Sequence, residues 1–429
     1  IWLILTLSST RISKLSILHS TPVVNYDVLT LKQVGHILSH TVGDEWELVG
    51  SEIKPASTGL SGFLGDHFRV TLHVRRKNSA RKVNIFVKRM PVSNKPKASF
   101  IEENNYYRRE VLMYELFDKL STNGELGPSS GDENILVMPD LLHQGYRQLP
   151  SLACLDLKHT LLTAASLARF HAAFTNYETK RLLNGLVSFG QHYADLLKDP
   201  TFRDSPWLRA AAKLTTNFLK TFSDKWIQYP KDLEQFLVKL YIEACASLTE
   251  SDGLNVINHK DLWVNNILFK YEGGAPMSAL LIDYQCIRYG PPAFDLMVFL
   301  YLNTSRSFRE RYENMVFRQY FVIFMESLDE VAIDRLKILG YDYNAFLQWC
   351  NRARMFGMFE AIGIFPYVLM EPALAQKTFD DPDTFMKYCD EDRTEPVVAH
   401  AKECAVYKER QLEVSEEFIE RYVLKEPQP

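Results

Sequence analysis

The feature that most constrains this chain is a set of short apolar runs with polar loops pinned between them. In "NVINHKDLWVNNILF", residues 255 to 269, a histidine, an aspartate and two asparagines sit between runs that read as strands, and in "SALLIDYQ", residues 278 to 285, an aspartate ends a third run. Apolar runs this short, separated by the turn "YEGGAPM", predict two buried strands joined as a hairpin. A hairpin returns the chain on itself, so Asn266 and Asp283 are expected at one edge. Each polar residue also has a plain structural reading: Asp261 as a turn former, Asn266 as a cap and Asp283 as a strand-end cap.

The rest of the chain has two textures. From Trp46 to Val87 short alternating runs around turn residues, "EWELVGSEI", "RVTLHV" and "VNIFVKRM", predict an antiparallel meander. A helix follows in "NNYYRREVLMYELFDKL", with Val111, Met113, Tyr114, Leu116, Phe117 and Leu120 at helical spacing, then a buried strand "ILVMPDLL" ending at Pro139. After Leu141 the patterns are long and helical, over 206–250, 292–325, 343–369 and 396–424. The fold class expected is α+β with two lobes: an unassigned segment 1–29, a β-rich first lobe 30–138 and a helical second lobe 139–429. A chain of 429 residues with 46% hydrophobic content is too long for one ordinary core.

A net charge of −4 with scattered Lys and Arg argues against nucleic-acid or membrane surfaces as partners. No apolar run approaches the ~18 residues that span a bilayer. The six cysteines are widely spaced, without metal-ligand spacing, which fits reduced thiols in a cytoplasmic chain. The opening stretch "IWLILTLSSTRISKLSILHS" reads as a truncated signal, a gene-model artefact or a short buried segment. The sequon at Asn303 to Ser305 falls at an expected helix end and reads as a chance tripeptide.

Phosphoryl transfer from a nucleotide needs a carboxylate facing the acceptor hydroxyl and oxygen ligands that hold magnesium on the phosphates. His259, Asp261 and Asn266 reproduce the spacing H-x-D-x-x-x-x-N that places a base and a metal ligand on one loop. Asp261 is then the base, and Asn266 and Asp283 the magnesium ligands. Lys88, on the third predicted strand, is placed to meet nucleotide phosphate, with Glu110 on the following helix as its partner; Glu102, Glu103 and Glu115 compete as a solvated face. Gly59, Gly62 and Gly65 either let backbone N–H groups approach phosphate or form an ordinary hairpin turn. Phe294, Phe299, Tyr301, Phe356, Phe359, Phe365 and Tyr367 are available to line an apolar pocket, with core packing the expected role for most.

Over about residues 30 to 425 the chain resembles the insect ecdysteroid-kinase-like family, which is related to choline and aminoglycoside kinases and shares the protein-kinase-like fold. The resemblance rests on "HKDLWVNN", "LIDYQ" and "SLARFHA". It implies an ATP- and magnesium-dependent phosphotransferase acting on a hydroxyl of a small lipophilic molecule, an ecdysteroid or related steroid or xenobiotic alcohol. It also implies that Met138, Pro139, Asp140 and Leu141 form the adenine hinge, that His259 braces the catalytic loop and that Asp295 is a structural aspartate. Two positions depart from the family. Lys260 stands where glycine is usual, reaching the phosphoryl group, obstructing the substrate mouth, or pointing outward as a solvated lysine, the reading slightly favoured over contact with the phosphoryl group, and Pro139 stands where relatives often have Glu. The alternatives are a choline or amino-alcohol kinase and a catalytically silent protein that binds a small ligand; a protein kinase is disfavoured because no A-P-E-like element follows Asp283.

Overall fold

The computed structural model describes residues 28–56, 65–91, 94–122, 135–249 and 251–424. All but the last two residues of the 1–29 segment, and Gly59 and Gly62, lie outside these. Strands β1 (Glu47–Pro55), β2 (Asp66–Arg76), β3 (Ser79–Arg89) and β4 (Ile135–Pro139) form one antiparallel sheet in sequence order. Val70, Leu72 and Val74 alternate along β2 and share a core with Ile85, Val87, Ile135 and Val137. Helix α1 (Leu31–Thr41) covers that core with Val34, Ile37 and Leu38. Its sequence signal is a capping box, in which Thr30 Oγ1 accepts from Gln33 N at 3.3 Å and Gln33 Oε1 accepts from Thr30 N at 2.8 Å.

Two helices connect β3 to β4, α2 (Lys95–Glu103) and α3 (Tyr106–Thr122). The apolar face of α3, with Leu112, Met113 and Leu116, packs into the large core of the following helices rather than into the sheet core. Phe117 meets Tyr284 edge-on at 4.9 Å. Helix α3 is therefore held by the same core that holds the Asp283 loop.

The remainder is mostly helical, which makes the fold α+β. Its main helices are α4 (Leu157–Leu183), α5 (Pro206–Phe222), α6 (Leu233–Ser247), α7 (Ala293–Asn303), α8 (Arg306–Glu326), α9 (Tyr343–Val368) and α10 (Ala405–Phe418). Five short strands interrupt them: β5 (Tyr146–Gln148), β6 (Val256–Asn258), β7 (Ile267–Glu272), β8 (Ala275–Leu281) and β9 (Arg288–Gly290), paired as β5-β7-β8 and β6-β9. The pattern expected to run through 206–250 divides into α5 and α6 around Pro230, and that of 292–325 divides at Ser305, whose hydroxyl caps α8 through Phe308 N.

Helix α7 is buried on every side, which explains its almost wholly apolar sequence. Its last residue, Asn303, is fully buried and donates to the Leu262 carbonyl at 2.6 Å, so the sequon is a structural element. All six cysteines are unpaired, and among the described residues no single helix is long and apolar enough to cross a membrane.

Helix α9 approaches α7 closely at Gly357, where a Cβ would lie 2.8 Å from Met297 C and 2.9 Å from Met297 O. Those atoms are backbone and cannot rotate away, so Gly357→Ala is expected to lower stability by about 1–3 kcal/mol, the range for overpacking. Gly50→Ala, where a Cβ meets nothing within 4 Å, is the control. Thermal denaturation of both variants checks this; equal Tm values for Gly357→Ala and wild type would show that the two helices shift apart freely.

Candidate active site

The β7–β8 hairpin sets the geometry. Ile267 pairs with Leu281, and Ile282 N donates to the Asn266 carbonyl at 3.0 Å, so Asn266 and Asp283 emerge side by side. A single turn of 3₁₀ helix over Val264–Asn266 brings the chain back to the end of β7 after Asp261. Asn266 Nδ2 donates to the Asp261 carbonyl at 2.8 Å and to Asp261 Oδ2 at 3.0 Å. With its nitrogen committed, Asn266 has its side-chain oxygen left to face a cation. Asp283 adopts φ +66°, a left-handed backbone uncommon outside glycine but one that aspartate tolerates better than most residues, and its side chain is 24% exposed.

The loop before Asp261 is held from below by Asp295, near the start of α7 and fully buried. Its carboxylate accepts from His259 N at 2.5 Å, from Lys260 N at 2.7 Å and from His171 Nε2 at 3.1 Å. His171, in the "SLARFHA" stretch on α4, in turn meets the Tyr320 hydroxyl at 2.5 Å. His259 Nε2 donates to the Ile282 carbonyl at 2.8 Å while Nδ1 accepts from Asp261 N at 3.4 Å, so one imidazole ties the Asp261 loop to the Asp283 loop. Burial lowers the His259 pKa, and the Ile282 carbonyl, which can only accept, requires the proton on Nε2.

Lys88, on β3, reaches across from the sheet. Its Nζ donates to Glu110 Oε2 at 2.6 Å, to Asp283 Oδ1 at 2.7 Å and to Gln285 Oε1 at 3.0 Å. Tyr114, one turn along α3, donates to the other Glu110 oxygen at 3.0 Å. Burial alone would lower the Lys88 pKa, but Asp283 and Glu110 outweigh it and hold the ammonium charged. Glu102 and Glu103 are solvent-exposed on α2. Asp261 behaves differently: burial, reinforced by the nearby Asp283 carboxylate, pushes its carboxyl up to about 8.

Met138 and Pro139 pair with Phe86 and Ile85, so they lie two to three residues along the sheet from Leu136, the partner of Lys88. That is about 7–10 Å at strand rise. Asp140 is a turn former: its carboxylate accepts from Leu142 N at 3.1 Å and bonds His143 Nδ1 at 3.0 Å, with Arg69 at 3.6 Å. The Leu141 carbonyl accepts from Gln144 N and Tyr146 N. None of these residues lines the cleft that contains Asp261. Gly65 has φ +131° and sits against the Arg89 carbonyl, which accounts for a glycine there by conformation alone.

Lys260 corrects the expectation of a solvated side chain. It is 2% exposed, its Nζ donates to Asp199 Oδ2 at 3.0 Å and lies 3.3 Å from the centre of the Phe202 ring. Its backbone has φ +66°, the conformation that suits the glycine usual in the resembled family. The disfavoured backbone is held by two anions, Asp295 on its N–H and Asp199 on its ammonium. Arg288 also pairs with Asp199 at 3.3 Å, and Arg109, next to Glu110, donates to the Leu196 carbonyl at 2.9 Å and to the Lys198 carbonyl. Segment 196–202 is thus clamped between α3 and the Asp261 loop. Asp199, sixty-one residues before Lys260 in an irregular stretch, carries no local pattern that would reveal it.

A cleft opens beside Asp261, Asn266 and Asp283, with apolar walls from Phe100, Tyr106, Phe202, Trp207, Trp263 and Tyr367. Of the aromatics named from the sequence only Tyr367 lines it; Phe294, Phe299, Tyr301, Phe356, Phe359 and Phe365 are core residues at most 2% exposed. Among the described residues no cluster of three or more His, Cys, Asp or Glu forms a ready metal cage. One carboxylate and one amide oxygen at the cleft edge suit magnesium, which takes one or two protein oxygens and completes its shell with phosphate and water.

The chain belongs to the ecdysteroid kinase-like family, whose profile matches residues 60–333. Among solved structures it is similar to an ethanolamine kinase of Plasmodium vivax, at 12% identity and a TM-score of 0.41 over 92% of this chain and 90% of that one. It is also similar to the GDP complex of a wild-type aminoglycoside 2'-phosphotransferase, at 11% identity and a TM-score of 0.36 over 90% and 97% of the two chains. A third likeness is to a microcompartment-associated aminopropanol kinase, at 12% identity and a TM-score of 0.30 over 76% and 95%. A search of curated proteins gave no match.

Burial would raise the Asp199 carboxyl, but Lys260, Arg288 and Arg109 outweigh it and hold it well below the usual carboxylate range. With the folded pKa below the unfolded value near ~3.9, this stabilisation is complete above about pH 4 and lost as pH falls toward the folded value. Asp199→Asn is therefore expected to lose about 3–5 kcal/mol at pH 7, because it strands the buried Lys260 ammonium, and to depend less on pH than wild type in the acid range. Chemical denaturation at pH 7 and at acid pH checks both; parallel pH curves for the two proteins would remove the ion pair from this account.

Proposed function

We propose that this ecdysteroid kinase-like chain is a small-molecule phosphotransferase that moves the γ-phosphoryl group of ATP onto a hydroxyl of a lipophilic acceptor, an ecdysteroid or related steroid or xenobiotic alcohol. The observation that carries the reading is the joint placement of Asp261, Asn266 and Asp283 on one aromatic-walled cleft, with Lys88 bonded to Asp283 and to Glu110. A protein that only stored an apolar ligand would need the aromatic walls and none of the charged groups.

In its ionised form Asp261 orients the acceptor hydroxyl and takes its proton as the acceptor oxygen forms its bond to phosphorus and the bond to the ADP oxygen breaks; with its carboxyl pushed up to about 8, the ionised share, and turnover with it, rises as pH climbs through neutrality. Asn266, bonded to Asp261 through both backbone and side-chain oxygens, holds that carboxyl toward the cleft. Lys88 meets the nucleotide phosphates, and Glu110 with Tyr114 fixes where its ammonium stands. Asp283 and Asn266 would hold magnesium, which draws negative charge from the phosphate oxygens when bound. Residues 138–141, at and just beyond the far end of β4 from the Lys88 pairing, would hold the adenine, as the family resemblance implies. With an apolar acceptor seated against them, the Trp and Phe walls would leave less room for water beside the transferring group.

Two variants test the assignment. Asp261→Asn should cut turnover by roughly 10²–10⁴-fold with little change in ATP affinity, since the carboxylate acts on the acceptor. Near-normal turnover in that variant would sink Asp261 as the base. Asp283→Ala should remove the magnesium dependence of ATP binding measured by calorimetry. Equal magnesium dependence in wild type and variant would make Asp283 structural.

A further inference from the structure

Helix α9 presents Glu360, Ile364, Tyr367 and Val368 to the cleft, a set at helical spacing on one face. Three of the four fit an apolar wall and Glu360 does not. It is 2% exposed, and its Oε2 is buried with no hydrogen-bond partner. The nearby cation does not serve it, because Lys260 Nζ is spent on Asp199 and on the Phe202 ring. A carboxyl enclosed this way is costly to the fold unless something else satisfies it. The proton transfer proposed for Asp261 makes no use of it.

We propose that Glu360 recognises a second hydroxyl on an uncharged, rigid, apolar acceptor whose first hydroxyl faces Asp261. The proposal rests on the reading of this cleft as the acceptor site. Lys260 disfavours a charged partner on the Phe202 side of the cleft: the protein's own ammonium already covers that ring, so a ligand cation there would meet a like charge and find the aromatic face occupied. A hydroxyl follows from the carboxyl itself. Burial pushes Glu360 up to about 8 against the pull of Lys260, so near neutral pH it is mostly protonated and both donates and accepts, as a hydroxyl does. The substrate class is therefore a compact apolar skeleton with at least two separated hydroxyls, rather than a simple alcohol or an amino alcohol.

The test is equilibrium binding without nucleotide, read from the fluorescence of Trp207 and Trp263 in the cleft wall, with ecdysone, a set of its singly deoxygenated analogues, and choline as probes. Wild type should bind one analogue roughly 10- to 100-fold more weakly than ecdysone, the effect of leaving a buried polar group unpaired, and Glu360→Leu should bind the two equally. Glu360→Gln, which keeps hydrogen bonding, should retain part of the gap. The Tm of Glu360→Leu should hold or rise, because the variant removes an unsatisfied buried carboxyl; a marked fall would assign Glu360 to the fold and overturn the proposal. It is overturned equally if the gap persists in Glu360→Leu, if ecdysone does not bind, or if wild type binds choline more tightly than Glu360→Leu does. Because no turnover is involved, a discriminating cleft in a protein that transfers no phosphate would count against Asp261 as a base and leave this subsite standing.

Discussion

The buried carboxylate of Asp295 is the constraint on which the site depends. It accepts the N–H groups of His259 and Lys260 and the Nε2 proton of His171, and so fixes the turn that delivers Asp261. A fully buried anion with three donors is a rigid template, since losing any one donor leaves charge uncompensated in a low dielectric. From that point the order propagates. His259 passes it to the Asp283 loop through the Ile282 carbonyl, Asn303 secures the Leu262 carbonyl from the end of the same helix α7, and Asp283 passes it to Lys88 and the sheet. The charged groups proposed for catalysis are thus spaced by a hydrogen-bond relay that begins in a helix buried on every side.

Much of this was legible because the relevant chain is local. Asn266 and Asp283 are joined by one hairpin, so their meeting follows from strand-turn-strand texture, and the meander from Trp46 onward reads directly as β1, β2 and β3. The β4 strand at Ile135–Pro139 follows from a short apolar run. Helix α1 was hidden because its signal is a capping pair rather than a long apolar stripe. The breaks inside the long helical patterns come from single capping or proline residues, which periodicity averages away.

What the sequence did not disclose are partnerships across the chain. Asp199 and Glu360 matter through where they are buried, and neither lies in a motif. The lysine at 260 is the clearest case. Beside Asp261 in sequence it reads as an exposed or phosphate-seeking cation, and only the tertiary contact with Asp199 and Phe202 shows it as a buried strut that also occupies one aromatic face of the cleft. A position that favours glycine by backbone conformation has been given a long side chain, and its two anionic partners offset the unfavourable φ. The same side chain takes up one aromatic face of the cleft, with its charge paired to Asp199.

The central claim is transfer of phosphate to a lipophilic hydroxyl. The direct measurement is incubation of the purified wild-type chain with magnesium and ATP labelled at the γ-phosphorus, alongside a panel of hydroxylated steroids, amino alcohols and plant glycosides, followed by separation of labelled organic product from ATP and free phosphate. The account predicts label on an uncharged polyhydroxylated acceptor and little on choline or ethanolamine. Binding of ATP and of a steroid with no label on any acceptor would contradict it, and would leave the chain as a ligand-holding relative of the kinases.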